Sequence, residues 1–140
     1  HIVKYHNAKI IVFMKSKELP NLRFLDCVSD MGAAYNAADL VISRAGASSI
    51  SEFCLIGKPV ILVPSPNVAE DHQTKNAMAL VNKDAAVYVK DAEASDVLLK
   101  RALEIVNDDA KLKSLSENIK KLGLPNSADI IADEVLKLVH

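Results

Sequence analysis

Four consecutive aliphatic residues, Val60-Ile61-Leu62-Val63, stand between prolines at positions 59 and 64. A strand with one solvated face alternates apolar and polar residues, so an unbroken run of β-branched and leucine side chains predicts a strand covered on both faces, as in a parallel sheet. Val41-Ile42 repeats the pattern within a shorter stretch, Asp39 to Ser43. Further short apolar runs at Lys9 to Met14, Arg23 to Val28 and Ala85 to Val89 read as additional strands. Helical spacing fills the intervals. Ser29 to Ala38 is alanine-rich, Ser48 to Ile56 gathers Ile50, Phe53 and Cys54, and Asp71 to Val81 places Ala77, Leu80 and Val81 on one side. Alternating strands and helices predict an α/β fold with a parallel sheet, flanking helices and right-handed crossovers.

Beyond Val89 the strand signal stops and three helical segments are expected. Ala94 to Asn107 carries Leu98, Ala102 and Ile105, Ala110 to Leu122 carries Leu112, Leu115, Ile119 and Leu122, and Ala128 to Val139 carries Ile131, Val135 and Leu138, each at helical spacing. Gly123 and Pro125 stop the second of these, and Asn126 or Ser127 can cap the third. The lysines at 111, 113, 120 and 121 read as solvated helix faces.

The chain has 140 residues, long enough to bury a core without a disulfide or metal staple. Cys27 and Cys54 each lie in an apolar run with no second Cys or His at ligand spacing, so both are expected as reduced core residues. Seventeen basic and eighteen acidic residues leave a formal charge of −1, which gives no broad field for a polynucleotide, and nucleic-acid binding is not expected. No apolar run is long enough to span a bilayer, and His1 to Asn7 lacks the layout of an export signal, so the expectation is a cytosolic protein.

Chemistry concentrates in two segments. Arg44-Ala45-Gly46-Ala47-Ser48-Ser49-Ile50-Ser51-Glu52 joins the end of a buried strand to the start of a helix. Ligands of open α/β sheets bind at such strand ends, where a helix start offers unpaired N–H groups and a favourable dipole to phosphate. Gly46 and Ala47 would let an anion approach the backbone, Ser48 and Ser49 add hydroxyl donors, and Glu52 offers two acceptor oxygens to a ribose diol. The same letters, Ser49-Ile50-Ser51-Glu52, also spell a capping box in which Ser and Glu satisfy local backbone donors. In the second segment the proline-stiffened loop Pro64 to Glu70 runs into a helix bearing His72, Gln73 and Asn76. Their hydrogen-bonding groups suit sugar hydroxyls, although solvated or capping roles explain the same residues.

Arg44 to Ala77, RAGASSISEFCLIGKPVILVPSPNVAEDHQTKNA, closely resembles the donor-binding domain of the MurG family of bacterial glycosyltransferases, and Val28-Ser29-Asp30-Met31-Gly32-Ala33-Ala34-Tyr35 resembles the segment just before it. The resemblance implies one half of a two-domain GT-B glycosyltransferase, Rossmann-like in its sheet, with a helical C-terminal tail. It implies inverting transfer of N-acetylglucosamine from UDP-N-acetylglucosamine to a lipid-linked muramyl pentapeptide. By similarity, the backbone at Val28 reads the uracil edge and Glu52 holds the ribose hydroxyls. Ala47 to Ser49 meet the diphosphate and sugar, and His72 and Gln73 fall at a pair that contacts the sugar; Gly46 and Asn76 stand beside them as binding candidates from their chemistry. Arg44 organises the strand end, with phosphate contact a second choice, and His72 departs from the glutamine often found at its position.

Residues 1–140 would then be the C-terminal donor domain, lacking the family's first strand and glycine-rich turn, since no glycine precedes Gly32. The interval Lys15 to Leu22 is also shorter than the dozen or so residues of a crossover helix. The resemblance places the general base and the membrane contact in the absent N-terminal domain, at the cytoplasmic face of the inner membrane. No metal is expected, because no D-x-D pair stands at a strand end, and no cofactor. Two alternatives are a stand-alone donor-binding subunit paired with a membrane-anchored acceptor subunit, and a non-catalytic Rossmann-like domain.

Overall fold

The computed structural model describes the backbone of residues 2–5, 8–13, 24–25, 29–66, 71–125 and 137, and the side chains of those from 29 onward. Along the chain run β1 (Ile2–Tyr5), β2 (Ala8–Phe13), β3 (Phe24–Leu25), α1 (Met31–Ala37), β4 (Leu40–Ser43), α2 (Ala47–Ile56), β5 (Val60–Leu62), α3 (His72–Val81), β6 (Val87–Tyr88), α4 (Ala94–Val106) and α5 (Asp109–Lys120). A single 3₁₀ turn, Asp91–Glu93, leads into α4.

The strands form one sheet in the order β3-β1-β2-β4-β5-β6. β4, β5 and β6 are mutually parallel, with Ile42 opposite Ile61 and Ile61 opposite Val87. Their side chains explain the unbroken apolar runs. Val41, Val60 and Leu62 face one layer with Tyr35 of α1, Phe53 of α2 and Leu80 of α3. Leu40, Ile42, Ile61 and Val63 face the other, with Ala102 and Ile105 of α4 and Leu115 of α5. Both faces are therefore dry, and Leu40, Val41, Val60, Ile61 and Leu62 are fully buried. At about 1.5–3 kcal/mol for each buried aliphatic side chain, this central trio of strands is the main source of cohesion. α5 serves both layers, contributing Ile119 to the first and Leu115 to the second. α2 ends at Gly57, whose positive φ of 67° is the left-handed closure that glycine adopts without strain.

The amino-terminal side of the sheet differs from a continuous parallel arrangement. β2 pairs antiparallel with β4, and β1 pairs antiparallel with β2 through Ile2–Ile11 to Tyr5–Ala8, a hairpin that the sequence reading passed over. β3 then pairs parallel with β1, not with β2. β3, parallel to β1, runs antiparallel to β2, so the short interval between β2 and β3 does not have to carry a crossover helix. Cys27, Val28, the loop residues 67–70 and nearly all of the third helical segment, 128–139, lie outside the described residues.

Candidate functional site

β4 and β5 end side by side, with Ser43 opposite Leu62, and each chain turns from there toward a helix. After β4 the turn is three residues long. Gly46 is the extended residue before α2, with φ −68° and ψ 144°, and it makes no side-chain cap. The helix's first backbone bond runs from Ile50 N–H to the Gly46 carbonyl at 3.0 Å. The amides of Ala47, Ser48 and Ser49 therefore have no partner inside the helix, and no described residue caps the positive end of its dipole. A Cβ added at Gly46 would meet nothing within 4 Å, so the fold itself does not demand glycine there.

The capping box does not form. The helix starts at Ala47, two residues before Ser49, and the Glu52 carboxylate turns instead to Tyr35, whose hydroxyl donates to Oε2 at 2.9 Å. Ser48 and Glu52, one helical turn apart, are both exposed.

α3 is bound to the same turn. Gln73 Oε1 accepts from the backbone N–H of Ala45 at 3.3 Å and of Ser65 at 2.8 Å, while Asn76 Nδ2 donates to the Ala45 carbonyl at 3.2 Å. Gln73 Nε2 and Asn76 Oδ1 take no hydrogen bond among the described residues. The helix begins at His72, exposed, after Asp71 in a left-handed conformation with φ 55°, and it too lacks a side-chain cap. Two uncapped helix starts thus meet at the carboxyl ends of two adjacent parallel strands.

Arg44 anchors the arrangement from behind. Its guanidinium Nη1 donates to the carbonyls of Val63 at 3.2 Å and Pro64 at 3.4 Å and pairs with the Asp91 carboxylate. Asp91 belongs to the 3₁₀ turn after β6, so one side chain ties together the ends of β4, β5 and β6. Neither Asp91 nor Tyr35 was singled out from the sequence. They lie 47 and 17 residues from their partners, and only the crossovers bring them close.

The structure gathers Arg44, Gly46, Ala47, Ser48, Ser49, Glu52, His72, Gln73 and Asn76 on the segments that follow the carboxyl ends of β4 and β5; Val28 is outside the described residues. None of the three cavities bounded wholly by described residues, about 330 to 360 Å³ each, lies at these strand ends; the first of them is against Ile50, Cys54, Leu80 and Leu122. Cys54 is a free thiol, and burial raises its pKa above the ordinary value.

A parallel trio of strands, helices on both faces and a helix start at the strand ends make this a Rossmann-like domain, and its likeness to a solved MurG structure makes it one of the GT-B glycosyltransferase kind. A crystal structure of Acinetobacter baumannii MurG superimposes with a TM-score of 0.76 at 28% identity, covering 84% of this chain and 35% of that one. A glycosyltransferase of kitacinnamycin shares the fold, with a TM-score of 0.61 at 24% identity over 85% of this chain and 32% of that one. Residues 2–131 match the glycosyltransferase family 28 C-terminal domain, and the chain belongs to that family. Among its relatives, the UDP-N-acetylglucosamine--N-acetylmuramyl-(pentapeptide) pyrophosphoryl-undecaprenol N-acetylglucosamine transferase of Bacteroides fragilis is 65% identical over 97% of this chain. The protein of the same name from Flavobacterium psychrophilum is 51% identical over 86% of the chain. The chain spans 36% and 33% of these two relatives, respectively.

Proposed function

We propose that this chain binds UDP-N-acetylglucosamine as the donor half of an inverting glycosyltransferase that adds N-acetylglucosamine to a lipid-linked muramyl pentapeptide. The observation that carries the reading is the start of α2, which no described side chain caps and where a Cβ at Gly46 meets nothing, with the Glu52 carboxylate one turn deeper. Such a start suits a diphosphate, because three N–H groups and the helix dipole meet the negative charge without an intervening side chain. The names carried by the relatives supply the substrate class.

In this reading the acceptor hydroxyl attacks the anomeric carbon, the bond to the diphosphate breaks, and configuration inverts in one displacement. Charge accumulates on the departing diphosphate. The amides of Ala47, Ser48 and Ser49, fixed before the reaction begins, stabilise that charge more than they stabilise the ground state. Glu52 accepts the ribose hydroxyls, and the Val28 backbone reads uracil. His72, Gln73 Nε2 and Asn76 Oδ1 address the sugar. Arg44 acts behind the site, keeping the strand ends in register. The acceptor site, the proton acceptor for the attacking hydroxyl and the membrane contact belong to the N-terminal domain of the two-domain fold. The working place is the cytoplasmic face of the inner membrane; among the described residues, no helix is long and apolar enough to cross one.

Calorimetry and thermal shift with UDP-N-acetylglucosamine test the reading, comparing the wild type with Glu52→Ala. At about 100 times the dissociation constant the donor stabilises the fold by about 2.7 kcal/mol, and the variant needs far more ligand for the same shift. Equal binding by the two proteins refutes the ribose role of Glu52. No response at saturating donor refutes donor binding by this chain.

A further inference from the structure

Tyr35 is 7% exposed, and its ring meets Phe53 edge-on, with centroids 5.8 Å apart and planes at 86°. A phenol buried to that extent requires a partner for its hydroxyl. That hydroxyl donates to Glu52 Oε2 at 2.9 Å. Because Phe53 follows Glu52 in the chain, one tyrosine both wedges against α2 through its ring and grips the neighbouring carboxylate through its oxygen. Glu52 itself is exposed, and an exposed glutamate held by nothing samples many rotamers, a freedom that any ligand would have to remove.

The grip leaves the carboxylate usable. Oε1 takes no hydrogen bond among the described residues, and Oε2 keeps a second lone pair. We propose that Tyr35 is a positioning residue that presets the Glu52 carboxylate for the vicinal diol of the donor's ribose, so that α1 contributes to the choice of ribonucleotide without touching it. This inference rests on the donor-binding reading above and adds a residue from an element outside both ligand segments.

The test measures, on the full chain by calorimetry, the affinities of UDP and of 2′,3′-dideoxyuridine diphosphate for the wild type, Tyr35→Phe, Glu52→Ala and the double variant. Phenylalanine keeps the edge contact with Phe53, and far-UV circular dichroism checks the fold. The wild type prefers UDP. Tyr35→Phe weakens UDP binding about fivefold, as expected for one hydrogen bond, and leaves the dideoxy ligand's affinity unchanged. In the Glu52→Ala background the same change has no effect on either ligand. Equal weakening of both ligands, unchanged preference for UDP in Tyr35→Phe, or an undiminished loss in the Glu52→Ala background overturns the role of Tyr35 while donor binding stands. A wild type that binds the two ligands equally overturns the ribose role of Glu52 and this inference with it while nucleotide binding stands, and a wild type that binds neither overturns the donor reading itself.

Discussion

Gln73 and Ala45 are joined directly: the side-chain oxygen of the first receives the backbone N–H of the second at 3.3 Å, across 28 residues of chain. The same oxygen receives Ser65 N–H, so one amide oxygen fastens both strand-end turns to α3. Gln73→Leu would leave two backbone donors without their acceptor, at a cost of about 2 kcal/mol, or roughly 6 °C in melting temperature. Gln73→Glu keeps the acceptor, and its charge at a helix start is tolerated, so stability holds. Affinity for UDP-N-acetylglucosamine falls all the same, because the Nε2 donor that addresses the sugar is lost. Scanning fluorimetry with and without UDP-N-acetylglucosamine separates the two effects.

Gly46 poses the opposite case, a residue that stability alone would replace. Serine at this position, Gly46→Ser, supplies the missing side-chain acceptor for the free amides of α2 and should raise stability by a few tenths of a kcal/mol. The added hydroxyl occupies the groups a phosphate would use, and UDP affinity should fall about tenfold. A melting temperature that holds or rises while binding weakens is the expected signature. Binding that stays intact would mean these amides are not the phosphate site.

The Arg44–Asp91 pair invites an overestimate. The two side chains are 40% and 34% exposed, so water screens the attraction, and Asp91→Asn should cost no more than about 1 kcal/mol, shrinking further in high salt. Arg44→Ala should cost about 2 kcal/mol, because the Val63 and Pro64 carbonyls also lose their donor. Urea titration at low and high ionic strength distinguishes the two contributions.

Cys54 links stability to alkaline pH. Burial raises its thiol pKa above the ordinary 9.0, so the folded chain keeps the proton that the unfolded chain releases. The contribution is whole below the unfolded value and is lost as pH climbs from there through the raised folded value. Denaturation midpoints should decline above about pH 9. Cys54→Ala should lower stability at neutral pH but flatten that decline, and a thiol reagent should label native protein far more slowly than unfolded protein.

Gly123 passes close to α2. A Cβ there would lie 2.8 Å from the Cys54 carbonyl oxygen and 3.3 Å from that of Lys120, both backbone atoms. Gly123→Ala must therefore push the end of α5 away from α2, at about 1–3 kcal/mol. Chemical denaturation should show a reduced midpoint with an unchanged slope.

The parallel trio was legible because Val41-Ile42 and Val60 to Val63 have no polar face to give to water, which only two-sided cover explains. The helices were legible for a related reason: Phe53, Ala77, Leu80, Ala102, Ile105, Leu115 and Ile119 fall at helical spacing, and all are buried. Strand direction was not legible in Ala8–Phe13, whose side-chain pattern is the same whether its neighbour runs parallel or antiparallel; pairing decides it. At the site, residue types marked the place but not the partners. Ser49 and Glu52 carry the letters of a capping box, yet the helix starts early enough, at Ala47, to release them. Gln73 and Asn76 each spend one polar atom on Ala45, a use that their chemistry allows and their spacing does not announce. Tyr35 and Asp91 enter through crossovers that no local window contains.

The border strand β6 is two residues long and is followed closely by the turn that Arg44 holds. So short a ladder offers an incoming strand almost nothing to pair with. On that flank, among the described residues, the sheet leaves another copy of itself little ladder to extend.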